Sequence, residues 1–145
     1  MINSRRLEDL EMDVAVKARA FLAACAIELD PSLHVFVVST YRDFESQAAL
    51  YAQGRSAPGE VVTWVGPGDS FHNWRVAFDV AIYRHGKYVN DKADADKAIW
   101  GQVGAIGERC GLEWAGRWTK HHESAHFQER GLTIAGLKSE SERVA

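Results

Sequence analysis

Asp79 is hard to explain as structure alone. It interrupts an alternating run in which Val76, Phe78, Val80 and Ile82 share one face and Ala77, Asp79 and Ala81 the other. A carboxylate buried alone is costly and is tolerated where it is paired or bound to metal. The alanines on either side leave room above the strand for an ion and a ligand. His72 lies shortly upstream, after a Gly/Pro turn and two residues beyond Ser70. Imidazole plus carboxylate is an ordinary zinc shell, and catalytic zinc sites commonly keep three protein ligands and a water. Taken singly, Asp79 reads equally as a carboxylate on a solvated face and His72 as a loop histidine. Taken together, they call for a third ligand and a general base, and His121-His122-Glu123-Ser124-Ala125-His126 offers candidates for both.

That segment permits two readings. His122, Glu123 and His126 spell His-Glu-x-x-His, in which two histidines on one helix hold zinc and the glutamate is the base. The motif needs an amphipathic helix, yet the stretch from Gly116 to Gly131 shows no helical apolar stripe. Beyond His126 only Glu129, Glu140 and Glu142 could serve as an acidic third ligand. The helix-borne reading also leaves His72 and Asp79 without a role. His34, His85, His121 and His122 are expected to be solvated or hydrogen-bonded.

The elements that must position these residues are legible in outline. Leu7, Leu10, Val14, Ala18, Phe21, Leu22, Cys25 and Leu29 recur at helical spacing and predict a helix ending before Asp30-Pro31. Leu33 to Val38 reads as a buried strand. Asp43 can cap a second helix running to Gln53 and stopped by Gly54. Val61 to Trp64 is a possible strand, followed by a turn at Gly66-Pro67-Gly68-Asp69. His85-Gly86 turns the Asp79 strand into Tyr88-Val89. A third helix opens at Asp91 or Asp94 and runs to about Arg109, with Gly101, Gly104 and Gly107 inside it. Each of these glycines costs about 1 kcal/mol against alanine, so close packing on that side is expected. Leu112 to Trp114 and His126 to Gln128 are short strands, and the polar tail after Leu137 is expected to fray.

Composition sets the frame. The 145 residues fit one domain, 1–145, with a core large enough to stand without staples. A net charge of −3 gives no electrostatic reason to expect nucleic acid. No apolar run reaches the ~20 residues of a membrane span, and Glu8, Asp9, Glu11 and Asp13 precede the short apolar stretch from Ala20 to Ile27, unlike a secretory leader. Cys25 and Cys110 are expected to be two buried thiols. Of five tryptophans most are expected in the core, with Trp74 near the cleft.

Ser70-Phe-His72-Asn-Trp-Arg-Val-Ala77-Phe-Asp79 resembles the Ser-x-His-x-x-Gly-x-Ala-x-Asp signature of the D-alanyl-D-alanine carboxypeptidases and L-alanyl-D-glutamate endopeptidases. Glu123-Ser-Ala-His126 is similar to that family's acidic-x-x-His signature. Thr40-Tyr41-Arg42 with Gln47, then Gly54-Arg55 and Pro58-Gly59, looks like its substrate-side segment. Gly111-Leu-Glu-Trp114 with Trp118, and His126-Phe-Gln followed by Gly131-Leu-Thr-Ile-Ala, resembles its phage lysin branch. The likeness spans roughly Val37 to Leu137. It departs at Arg75, where the family usually has glycine. A left-handed backbone there would strain arginine by about 1 kcal/mol, so either the loop takes another path or Arg75 reaches outward to substrate or wall.

The resemblance implies a set of roles. Zn2+ would be held by His72, Asp79 and His126, with Glu123 as general base, although manganese or cobalt can occupy such sites. Arg42 would hold a substrate carboxylate or a developing oxyanion, and Ser70, Gln47 and Trp74 would contact the peptide. It implies an α+β fold in which a small, mostly antiparallel sheet carries the site and about three helices flank it, like the Hedgehog and D,D-peptidase folds. The implied activity is cleavage of the L-alanyl-D-glutamate bond of peptidoglycan stem peptides by a monomeric phage endolysin. Such a protein is made without an export signal and reaches the wall through a membrane hole formed by another protein. A D-alanyl-D-alanine carboxypeptidase is the alternative within the same chemistry, and a non-catalytic zinc-containing wall-binding domain is the alternative outside it.

Overall fold

The computed structural model describes residues 1–144. Four helices, α1 (Met12–Glu28), α2 (Phe44–Ala52), α3 (Asp94–Arg109) and α4 (Ile134–Val144), accompany five strands, β1 (Leu33–Ser39), β2 (Ala77–Arg84), β3 (Lys87–Tyr88), β4 (Leu112–Trp114) and β5 (His126–Glu129). The main sheet runs β1-β2-β5-β4, every pair antiparallel, with β3 added to β2 as a hairpin. This is the α+β arrangement expected, with one helix more.

The alternation in β2 decides what each face does. Val76, Phe78, Val80 and Ile82 are all buried and face α1 and α3. Phe78 stacks on Phe127 of β5 at 5.7 Å, and Phe21 of α1 closes the group at 4.8 Å from Phe127 and 5.9 Å from Phe78. Each ring wholly removed from water contributes roughly 1.5–3 kcal/mol, so this trio outweighs any exposed ion pair. The opposite face of the same strands carries Asp79 and His126, which lie directly across from each other. One two-residue period therefore sorts core from chemistry.

Close packing of α3 holds at two of its three glycines. A Cβ on Gly104 would lie 2.2 Å from the Trp114 ring, and one on Gly107 would lie 2.5 Å from Phe127, whereas Gly101 faces open space. The Trp114 indole cannot retreat, because it is buried and its Nε1 donates to the Ser124 carbonyl at 2.8 Å. Gly104→Ala should therefore destabilise the fold by about 1–3 kcal/mol through overpacking, despite the better helix propensity of alanine. Urea unfolding checks this, and an unchanged or raised midpoint would show that the indole can yield.

Three sequence expectations change. The first helix begins at Met12, because Leu7–Asp9 forms a separate 3-10 turn. Val61 to Trp64 is not a strand: among the described residues no strand pairs with it, and side chains hold its backbone instead. Gln47 Nε2 donates to the Val65 carbonyl at 2.8 Å and Arg55 Nη2 to the Thr63 carbonyl at 3.0 Å. The tail does not fray but forms α4. Thr133 Oγ1 accepts from Gly136 N at 3.0 Å at its start, Leu137 packs on the core, and Lys138 pairs with Asp69 at 2.6 Å. Both cysteines are free thiols, Cys25 buried and Cys110 half-buried. Burial pushes the Cys25 thiol up to about 12, which keeps it protonated and unreactive.

Candidate active site

The loop bearing His72 is built by local hydrogen bonds. Ser70 Oγ accepts from His72 N at 3.3 Å, and Asn73 Oδ1 accepts from Ser70 N at 3.3 Å and Gly68 N at 3.0 Å, closing a capping box around one 3-10 turn. Asn73 Nδ2 then donates to the Arg42 carbonyl at 2.8 Å, fastening the loop to the segment between β1 and α2. Arg75 ends the turn at φ 64°, ψ 24°. The left-handed path is thus kept without glycine, and Arg75 reaches inward rather than toward a substrate. Its guanidinium lies 3.7 Å from the Tyr41 ring centroid and donates to the Asp9 carbonyl at 2.8 Å. Cation–π contact and a charged hydrogen bond offset the backbone strain.

His72, Asp79 and His126 converge, with one ligand atom from each lying within 4.8 Å of the others. His72 Nδ1 lies 2.8 Å from the Thr40 carbonyl oxygen. A carbonyl only accepts, so Nδ1 carries a proton and Nε2 is the nitrogen turned to Asp79 Oδ1, 3.2 Å away. His126 does the same in mirror fashion: Nε2 meets Gln128 Oε1 at 2.8 Å and Nδ1 faces Asp79 Oδ1 at 3.1 Å. Gln128 reaches the ring because residues two apart on a strand share a face. Neutral imidazole nitrogens and a carboxylate oxygen are all acceptors, and acceptors converge stably only around a cation or a proton. The donor set and its outer hydrogen bonds fit a divalent metal such as zinc.

The electrostatics agree. Burial works against ionisation of Asp79, but a proton shared onto the facing nitrogens of His72 and His126 supplies charge and hydrogen bonds that outweigh it and hold the carboxyl well below the usual range. A bound cation would take that proton's place. Burial of His126, the largest single influence, lowers its pKa, yet the hydrogen bonds to Asp79 and Gln128 and the charges of Asp79 and Glu123 together outweigh it and the net shift is upward. Glu123 stands at the edge of this cluster, its side chain about half exposed at 52%, with Oε2 3.7 Å from His126 Nδ1. Arg42 lines the same cleft, and its guanidinium is held by neutral acceptors, Gln47 Oε1 at 3.0 Å and Ser39 Oγ at 3.2 Å. Its positive charge is therefore not spent on a carboxylate partner.

The cleft has a volume of about 590 Å³ and gathers His72, Asp79, His126, Glu123, Arg42 and Ser70. It does not gather Gln47 or Trp74. Gln47 is wholly buried, with its amide shared among Arg42, Thr63 and Val65. Trp74 instead donates to the Gly68 carbonyl at 3.0 Å and packs edge-on against Phe44. His122 is exposed and outside the cleft, and His122–Glu123 lies in a loop rather than a helix. Sequence reasoning did not single out Asn73 and Gln128, whose roles are hydrogen bonds made across the fold. It also missed Trp64, Trp118 and His121 on the cleft wall. An excess of tryptophan was the one available signal.

An acceptor cluster on a small antiparallel sheet, with an acidic neighbour and an arginine in one cleft, defines a metallopeptidase class of site. Comparison with known proteins agrees. The D-alanyl-D-alanine carboxypeptidase family of M15 peptidases matches residues 65–129, a span that contains His72, Asp79, Glu123 and His126. The peptidoglycan L-alanyl-D-glutamate endopeptidase CwlK of Bacillus subtilis is 30% identical over 125 residues, covering 83% of this chain and 73% of that protein. Among solved structures, the Serratia marcescens L-Ala D-Glu endopeptidase ChiX superposes with a TM-score of 0.58 at 19% identity, covering 85% of this chain and 82% of that one. The vancomycin-resistance D,D-pentapeptidase VanY, solved with Zn(II), gives 0.57 at 17% identity, covering 90% and 76%. The chain belongs to the M15 family of metallopeptidases.

Proposed function

We propose that the chain is a zinc-dependent peptidoglycan peptidase that hydrolyses the L-alanyl-D-glutamate bond of stem peptides. The observation that carries this is the convergence of two hydrogen-bond-oriented imidazoles and the Asp79 carboxylate beside Glu123 and Arg42. His72 Nε2, an Asp79 oxygen and His126 Nδ1 would hold the ion. When bound, zinc supplies Lewis acidity, making water a better nucleophile at neutral pH and polarising the scissile carbonyl. Glu123 takes the proton of the attacking water and delivers it to the leaving amine. Arg42, a permanently charged donor fork, stabilises the oxyanion or a substrate carboxylate. Gln47 acts on the reaction only through Arg42, by fixing its guanidinium.

The choice of bond rests on CwlK and on the lysin-like segments around Trp114, Trp118 and Gly131. Those segments also support release in phage lysis as the biological setting. Digestion of purified peptidoglycan tests the reading, with a new free amine on D-glutamate as the expected product. Loss of terminal D-alanine alone would make it a carboxypeptidase, and intact walls with bound protein would make it a binding domain. Among the described residues no helix is long and apolar enough to cross a membrane.

Protons compete with a cation for the same nitrogens. The ordinary histidine value is 6.5 and that of His126 is raised. Metal affinity should therefore begin to weaken somewhat above pH 6.5 and fall steadily on further acidification. Metal titrations between about pH 8 and pH 5 check this, and an affinity flat over that interval would remove the imidazoles from the shell.

A further inference from the structure

One exposed aromatic group on the cleft wall has no part in the chemistry above. Trp64 is 61% exposed although its loop is pinned on both sides. Thr63 and Val65, its neighbours, are held by Gln47 and Arg55, and Gln47 is also the residue that holds Arg42. The indole lies 5.3 Å from the His121 ring, tilted by 34°. His121 has φ 52°, a left-handed backbone that histidine adopts more readily than most residues. Both rings line the cleft. Val61 and Val62, just before Trp64 in the chain, are exposed as well, and Val62 also lines the cleft; a run of apolar side chains left in water at a cleft marks a contact surface.

The chemistry of the substrate suggests what that surface meets. In peptidoglycan the L-alanine of the stem is joined directly to the lactyl group of the muramyl sugar. The L-alanyl-D-glutamate bond is thus about one residue, or roughly 3.3–3.6 Å of chain, from that linkage. An enzyme cutting there must accommodate the pyranose at its cleft. The D-alanyl-D-alanine bond, at the far end of the stem, makes no such demand. A pyranose offers an apolar C–H face to an indole and hydroxyl groups to an imidazole. We propose that the Trp64–His121 pair is a sugar platform that stacks the muramyl ring carrying the stem, a role that rests on the endopeptidase reading.

Two measurements test it. In Trp64→Ala the ratio of kcat/KM for sugar-linked stem over free stem peptide should fall about ten-fold, while Trp64→Phe restores most of it. By titration, affinity for N-acetylmuramoyl-L-alanine should weaken by a similar factor in Trp64→Ala, with N-acetyl-L-alanine as the sugar-free control. An unchanged ratio together with unchanged muramoyl affinity would overturn the platform. If the wild-type protein cut neither substrate, the endopeptidase reading would fall, and the titration would still decide whether the pair binds sugar.

Discussion

His72→Ala is expected to release the metal and abolish hydrolysis, while His122→Ala spares both. The His72 ring is buried, is oriented by the Thr40 carbonyl and directs Nε2 at Asp79. His122 is exposed and lies outside the cleft. Even outer hydrogen-bond partners of metal ligands contribute about 10–100-fold to metal affinity, so loss of a ligand should exceed that range. A solvated histidine removed from a loop changes stability by less than about 0.5 kcal/mol. Bound metal per chain is the readout. Metal retained by His72→Ala and lost by His122→Ala would restore the helix-borne His-Glu-x-x-His assignment, against the loop in which that sequence lies.

Glu123→Gln should separate metal binding from turnover. The carboxylate stands 3.7 Å from His126 Nδ1, and among the described residues no hydrogen bond depends on its side chain. The amide keeps the shape but cannot accept a proton, so metal content should stay near that of the parent. General-base work is worth about 10²–10⁴-fold, and kcat should fall within that range. Turnover equal to the parent would take Glu123 out of the mechanism. Loss of metal as well would make it a ligand rather than a base.

The parts of the molecule that could be read from sequence are those fixed by short-range periodicity. The alternation from Val76 to Ile82 placed Asp79 on the face opposite the core, and the strand pairing sets His126 beside it. Asp43 caps α2 through Ser46 N at 2.8 Å, as residue type alone suggests. Features decided by distant partners could not be read. Val61 to Trp64 has the residue types of a strand, but the side chains of Gln47 and Arg55 take the carbonyls of Val65 and Thr63. Gln47 has the type of a surface contact but is enclosed by Arg42, Thr63 and Val65. Arg75 keeps a backbone suited to glycine because Tyr41 and Asp9, far away in the chain, receive its side chain. Gly101 shares its spacing with Gly104 and Gly107 but faces no partner, so spacing alone overstated the close packing.

The two histidines of the cluster differ in what sets their proton. For His72 the acceptor is a main-chain oxygen of Thr40, and no point substitution can delete it. For His126 it is the side chain of Gln128, which any single codon change can replace. Only one of the two rings is thus open to electronic adjustment by mutation. A carboxylate in place of that amide would make the His126 nitrogen more basic and leave its counterpart untouched. Attempts to alter ion preference therefore have one adjustable control, on β5, and a fixed reference on the opposite side of Asp79.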